Sequence, residues 1–363
     1  WRFVADLDER NYGLTEEQCD AAFPGYWAEI DRAVEFRRKH VGKVKEEDVD
    51  IGWRDDGVVR AMIYNRQLYI VEAKGVNDLD YHFRSLGILH QIHRAISSCT
   101  DPIPDIEFSF SVDDMADPDG DTATIWAFSR LPHKKKQWVM PDYNYWSWPM
   151  DPGPLHTRDD NNSSPVVPAA PSPLSPRDFF SPTSGDRSFD AKLPLLIWRG
   201  ANLNDVRDSL LRVTAPNPPW ADVLELNWLN ASELQSRIIS MPTHCRYRFV
   251  VHTEGRSYSG RLKYLQNCHS VPFLHRWEWT EAHHHLLIPE GPDQNFVLVE
   301  RDFSDLEPKI QALLDRPKEA RRIADNSVRD FRDKYLTPAA QACYWRKLFK
   351  GWASVQDFTP SLY

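Results

Sequence analysis

Tyr247–Phe273 reads YRFVVHTEGRSYSGRLKYLQNCHSVPF, and the fold follows from how this stretch divides. Tyr247, Phe249, Val250 and Val251 form a short aromatic and β-branched run of the kind that fills a buried strand. Gly255, Ser257, Ser259 and Gly260 follow, small residues that let a backbone turn sharply and approach a ligand closely. Arg261-Leu262-Lys263-Tyr264-Leu265 reads as the first turns of a helix. Strand, glycine-serine loop and a helix with cations at its start make a cradle for a phosphate. The loop N–H groups and the helix N-terminus face the anion, and Arg261 adds bidentate charge. An ordinary strand-to-helix connection with solvated cations has the same pattern, and the stretch alone does not separate the two.

A second unit of this kind lies upstream. Leu193-Pro-Leu-Leu-Ile-Trp198 reads as a buried strand that runs into Arg199-Gly200-Ala201-Asn202, and a helix over Asp205–Val213 carries Arg207 near its start. Two such units in one half of the chain indicate a nucleotide-binding α/β domain. Strands at Ser270–Leu274 and Phe296–Val299 and amphipathic helices at Leu306–Leu314, Lys318–Tyr335 and Ala339–Phe349 continue it, with Asp302–Asp305 as a cap for the first helix. Adjacent His283, His284 and His285 point different ways, so they read as surface or core and not as a metal site.

The N-terminal half is helical to about Asp48. A hairpin then spans Val58–Val71 and turns at Asn65-Arg66. An amphipathic helix covers Tyr81–Ser97, where His90 and His93 read as structural. Ile106–Val112 alternates as a strand and ends in Asp113-Asp114, with Asp117, Asp119 and Asp121 beyond. Acids at a strand end are candidates for chemistry. One of Asp113 and Asp114 can act as a general base. Asp119-Gly120-Asp121 can be read as a metal-binding pair for a nucleotide diphosphate, although Pro118 and Gly120 already account for it as a turn. Ala123–Ser129 reads as another strand, Lys134-Lys135-Lys136 as a solvated face, and the aromatic run Pro141–Pro149 as either a sugar-stacking surface or core. Asp151–Asp190, rich in proline and serine, reads as an insert or linker. The expected division is 1–150, 151–190, 191–335 and a C-terminal helix and tail over 336–363.

At 363 residues, 41% hydrophobic and with 14 tryptophans, the chain is globular and long enough for two cores. A net charge of -9 argues against a nucleic-acid partner. No apolar run approaches the length of a membrane span. The sequence opens at Trp1 with neither methionine nor signal segment, which leaves room for an N-terminal signal or membrane anchor ahead of it. Five cysteines without a Cys-x-x-Cys pair give no zinc pattern. A Cys245–Cys268 disulfide would staple the strand–loop–helix unit, and the odd count leaves at least one thiol free or paired elsewhere. Asn161, Asn162 and Asn230 begin Asn-x-Ser sequons, a weak sign of a secretory lumen.

From about Val58 to Trp352, outside the insert, these residues resemble the protein O-glucosyltransferase and capsule-associated family, glycosyltransferase family 90, and its fungal members in particular. The resemblance rests on Asp105-Ile-Glu107 through Val112-Asp113-Asp114, on Trp198-Arg199-Gly200 with Arg207-Asp208, and on Cys245 through Cys268. The spacing of that cysteine pair is similar to a disulfide in animal relatives. Cys343-Tyr344-Trp345 matches a C-terminal family signature whose cysteine pairs with one near the N-terminus, here Cys19.

The resemblance implies an α/β GT-B architecture, two Rossmann-like domains facing across a cleft, with C-terminal helices. It implies inverting transfer of glucose or xylose from a UDP-sugar to a hydroxyl of a glycan or protein, with no metal and no cofactor beyond that co-substrate. Carried over residue by residue, Asp114 falls on the catalytic base, with Asp113 the adjacent alternative. Gly200 and Arg207 fall on one donor-binding segment, and Ser259, Gly260 and Arg261 on the segment that holds the diphosphate. Glu278 and Trp279 match a motif near donor or acceptor. Two readings compete: a GT-A-type, Mn-dependent transferase using Asp119 and Asp121, and a carbohydrate-binding relative that has lost catalysis. The ER or Golgi lumen is the expected location, although Pro360-Ser-Leu-Tyr363 is not the retention tetrapeptide of lumenal animal enzymes.

Overall fold

A computed structural model describes residues 1–77, 79–117, 120, 121, 123–145, 186, 188–230, 233 and 236–362. The proline- and serine-rich run, the Asn161 and Asn162 sequons and the Trp146–Pro149 part of the aromatic run therefore lie outside the described residues, apart from Asp186 and 188–190. The chain divides into two compact units. One comprises 1–146, 278–286 and 333–363, and the other 147–277 and 287–332. Segment 278–286 thus packs with the N-terminal residues: Arg130 and Thr280 exchange backbone hydrogen bonds of 3.1 and 2.8 Å.

The first unit holds a five-stranded mixed sheet of order β2-β1-β3-β4-β5, made of β1 (Val58–Tyr64), β2 (Gln67–Lys74), β3 (Ile106–Ser111), β4 (Trp126–Ala127) and β5 (Trp138–Val139). β1 pairs antiparallel with both β2 and β3, and the β3–β4–β5 run is parallel. The hairpin turns where expected. Asn65 and Arg66 both take left-handed φ values of 48° and 62°, the geometry of a two-residue turn matched to strand twist. Arg66 then ties the turn to the end of the Leu79–Ser97 helix through the Ile96, Cys99 and Asp101 carbonyls. Only Trp126–Ala127 of the strand expected over Ala123–Ser129 pairs with neighbours.

Aromatic packing fixes the C-terminal helix Pro338–Ala353 on this sheet. Phe108 stacks on Trp126 at 3.9 Å, Trp126 meets the Trp352 ring edge-on at 5.5 Å, and Trp138 meets Trp352 at 5.1 Å. A disulfide joins that helix to Glu16–Ala22 through Cys343 and Cys19, as the family resemblance implies. Cys99 is a buried free thiol.

In the second unit five strands are all parallel, in the order β10-β9-β8-β6-β7: β6 (Leu193–Gly200), β7 (Ala221–Glu225), β8 (Tyr247–His252), β9 (Val271–His275) and β10 (Val297–Val299). The Asp205–Thr214 helix connects β6 to β7. Its first turn is capped by the Asn204 side chain, which accepts from the Arg207 N–H at 3.0 Å. Trp198, Phe249, Phe273 and Val297 from four strands build the core with Leu306, Ile310 and Ile323 from the following helices. Asp305 sits at the N-terminus of the Leu306–Asp315 helix without capping it. Its carboxylate instead accepts from the Glu300 N–H and from Lys309. The Cys245–Cys268 disulfide closes the β8 unit as the sequence allowed.

Among the described residues no helix is long and apolar enough to cross a membrane. Replacing Cys19 and Cys343 together by serine is expected to destabilise the chain by roughly 2–5 kcal/mol, since the bridge closes a very long loop. Urea unfolding reads this as a lower midpoint. An unchanged midpoint would contradict it.

Candidate active-site residues

Strand order decides where a ligand belongs in the second unit. β6 connects outward to β7 on one side, while β8 connects to β9 and then β10 on the other. Adjacent parallel strands whose connections leave in opposite directions open a crevice beyond their carboxyl ends, where open α/β sheets bind ligands. β6 ends at Arg199-Gly200, and β8 runs out into Thr253-Glu254-Gly255. Both glycine loops singled out in the sequence therefore sit at this switch point.

Trp198 is the platform. Its indole is buried and donates through Nε1 to Thr253 Oγ1 at 3.1 Å, tying the ends of the two strands together. The guanidiniums of Arg207 and Arg261 lie 5.8 and 5.7 Å from the ring centroid, in range of cation–π attraction. Arg207 is buried and fixed by backbone carbonyls, donating through Nε to Glu254 O at 2.8 Å and through Nη1 to Ala201 O at 2.9 Å. Arg261 keeps part of its surface in solvent, but its Nη1 is buried without a hydrogen-bond partner among the described residues. No described carboxylate pairs with either arginine. Burial pushes the Arg207 pKa down to about 10. Burial, then repulsion from Arg207, pushes that of Arg261 down to about 9.

Close approach requires glycine at position 200 and crowds a side chain at position 255. A Cβ on Gly200 would stand 2.8 Å from the Trp198 ring and 3.3 Å from Arg261 Nη2, and one on Gly255 would stand 3.4 Å from Arg207 Nη2. Ser259 and Gly260 are half-buried on the approach to Arg261. The helix expected from Arg261 is a single turn, Leu262–Leu265, so the cradle does not have a long helix N-terminus behind it. Lys263 is buried and donates to Gly260 O at 2.7 Å.

Two further side chains lie here: Ser257, which the sequence marks only as a small turn residue, and His244, which it does not mark at all. Ser257 is fully buried, and its Oγ has no partner among the described residues. His244 is buried with Nδ1 3.0 Å from Ser240 O and an unpartnered Nε2. Burial first, and then Arg261, push its pKa down to about 3, so it is neutral at physiological pH. Nothing in the residue pattern around His244 signals this.

In the first unit, Asp113 and Asp114 follow β3 and differ sharply. Asp113 is buried and saturated: it takes Arg54 Nη2 at 2.9 Å, the Met115 N–H at 2.7 Å and the Tyr81 hydroxyl. Asp114 keeps about a third of its side chain exposed (32%), with Arg84 Nη1 2.9 Å from one oxygen. Glu278 is exposed and Trp279 half-buried, next to the Arg130–Thr280 bridge of this same unit.

The acidic turn beyond is knitted from within. Asp117 accepts from the Gly120 and Ala123 N–H groups, and Asp121 from Lys135 and Lys136 N–H, each at 3.0 Å. Lys134, expected in solvent with its neighbours, is instead buried, donating to the carbonyls of Asp117 (2.6 Å) and Gly120. Asp119 lies outside the described residues. Among the described residues no three His, Cys, Asp or Glu side chains gather as metal ligands.

A sequence model described as glycosyl transferase family 90 matches residues 16–362. The chain belongs to that family. The chain is similar to the O-glucosyltransferase rumi homolog of Anopheles gambiae, 29% identical over 186 residues that cover 49% of this chain and 46% of that protein. It is similar to protein O-glucosyltransferase 2 of Danio rerio, 26% identical over 180 residues covering 48% and 35% of the two chains. With protein O-glucosyltransferase 1 of Homo sapiens it shares 23% identity over 296 residues, 78% of this chain and 70% of that one. The match spans less than half the length of the first of these relatives.

A guanidinium stays charged across the pH range in which a protein is handled, so in this family 90 chain Arg261 can offer its charge to an anion throughout. In Arg261→Gln, UDP affinity measured by titration calorimetry is expected to fall by at least about tenfold, the scale of one charge-assisted hydrogen bond. Affinity equal to that of the unaltered chain would contradict an anion role for Arg261.

Proposed function

We propose that this chain is an inverting, metal-independent glycosyltransferase that moves glucose or xylose from a UDP-sugar to a hydroxyl of a glycan or protein. The observation that carries this reading is the pair Arg207, buried, and Arg261, with its Nη1 buried, at the switch point with no carboxylate partner among the described residues. Burying a cation without a counter-charge costs several kcal/mol, and a diphosphate supplies the missing charge. Membership of family 90 and relatives named as O-glucosyltransferases support sugar transfer as the activity. The proposed architecture is GT-B-like, with the second unit as the donor side and the first supplying the base.

Asp114 is the proposed base. Asp113 already receives two hydrogen bonds and the Arg54 ion pair, whereas Asp114 has an oxygen open to solvent to take the acceptor hydroxyl's proton as the hydroxyl oxygen attacks the anomeric carbon. As the glycosidic bond breaks, charge grows on the diphosphate. Arg261, Arg207 and the N–H groups of Ser259 and Gly260 are proposed to stabilise it, a role a metal fills in other transferases. Glu278 and Trp279 are proposed to lie near the bound substrates. Two disulfides suit an oxidising compartment, and the ER or Golgi lumen is the proposed location.

Transfer or donor hydrolysis is measured with UDP-glucose and UDP-xylose in EDTA. Activity should persist, and Asp114→Asn should lower it roughly 10²–10⁴-fold while UDP binding is kept. Loss of activity in EDTA would sink the metal-free mechanism. Undiminished turnover in Asp114→Asn would remove Asp114 as the base.

A further inference from the structure

The loop that carries Asp114 is gripped by two arginines that do different work. On one side Arg54 holds the carboxylate of Asp113 at 2.9 Å and the carbonyls of Met115 and Ala116 at 2.9 and 2.8 Å. On the other side Arg84, from the Leu79–Ser97 helix, donates through one nitrogen to Val112 O at 3.1 Å and to Asp114 Oδ1 at 2.9 Å. Between them the arginines hold each of the five residues Val112–Ala116. Aromatic rings flank Arg84 in turn: its guanidinium lies 5.2 Å from the Tyr143 ring centroid and 6.0 Å from that of Tyr81. Tyr81 also donates its hydroxyl to Asp113, so the ring beside Arg84 is fixed to the loop it grips.

We infer that Arg84 is the positioning residue for the proposed base, holding the Asp114 carboxylate in one rotamer through Oδ1 and leaving the other oxygen for the acceptor hydroxyl. A carboxylate on a half-exposed loop otherwise samples several rotamers. Anchoring one oxygen on a cation confined by the Tyr81 and Tyr143 rings removes that freedom before substrate arrives. Arg54, which never touches Asp114, is the matched control because it holds the same loop through different atoms. This inference rests on the reading of Asp114 as the base.

The test compares Arg84→Gln, Arg84→Lys, Arg54→Gln and Asp114→Asn by UDP-glucose hydrolysis, UDP binding and thermal unfolding. Arg84→Gln should lower kcat roughly 10–10²-fold, the scale of a misplaced catalytic group, with the UDP-glucose KM and UDP affinity kept. Arg84→Lys, which retains a donor and the charge, should recover part of that loss. Arg54→Gln should mainly lower the unfolding temperature. An Arg84→Gln variant with unaltered kcat beside an inactive Asp114→Asn overturns this inference alone. Loss in Arg84→Gln that Arg84→Lys does not relieve, accompanied by a lower unfolding temperature, makes Arg84 structural and overturns it too. A fully active Asp114→Asn removes the base reading itself and this inference with it.

Discussion

Two guanidiniums over one indole, with no described carboxylate between them, set the terms for the rest of the second unit. Repulsion between Arg207 and Arg261 and the desolvation of both work against folding. The surroundings offset this only in part. The ring face of Trp198 attracts both cations, and backbone carbonyls of Glu254 and Ala201 fix Arg207. The glycines follow from the same constraint, since at Gly200 even a methyl group would collide with the Trp198 ring and crowd Arg261. A charge left buried and unanswered is a local conflict of the kind that natural proteins keep at functional sites.

The parallel sheet makes this arrangement possible. Arg207 and Arg261 come from separate strand–loop–helix units, and only the adjacency of β6 and β8 brings the two loops to one place. Trp198 Nε1 bonded to Thr253 then locks the strand ends together, and the Cys245–Cys268 disulfide closes the base of the same unit. In the first unit the constraint is of another kind. Stacked tryptophans and the Cys19–Cys343 disulfide hold the C-terminal helix on the sheet, and the loop after β3 is fixed by hydrogen bonds to arginines.

Much of this could be read from the residues. Alternation gave β3, two apolar runs meeting at Asn65-Arg66 gave the hairpin, and small residues after two apolar runs gave the loops at Gly200 and Gly255. The Cys245–Cys268 disulfide was open from the placement of its cysteines and supported by the family resemblance, and the Cys19–Cys343 disulfide came from the resemblance alone. What stayed hidden were facts about partners. A sequence shows that Arg261 is a cation but not that its Nη1 is left without an acceptor, and nothing marks Arg84 as facing Asp114. The helix after Arg261 stops early because Asn267 turns its side chain back to the Lys263 carbonyl at 2.7 Å and the disulfide cysteine follows. Lys134 reads as solvated beside two other lysines, yet carbonyls of the acidic turn draw it inside. Choosing between Asp113 and Asp114 also needed the count of donors around each.

The proposed reaction turns on the Arg207–Arg261 pair as the seat of a nucleoside diphosphate. A crystal structure of the chain with UDP bound tests it most directly. Phosphate oxygens are expected within hydrogen-bonding distance of Arg261 Nη1, with Arg207 beside them and the diphosphate between the loops that follow β6 and β8. Electron density for the diphosphate elsewhere, with Arg261 Nη1 still unpartnered, would contradict it.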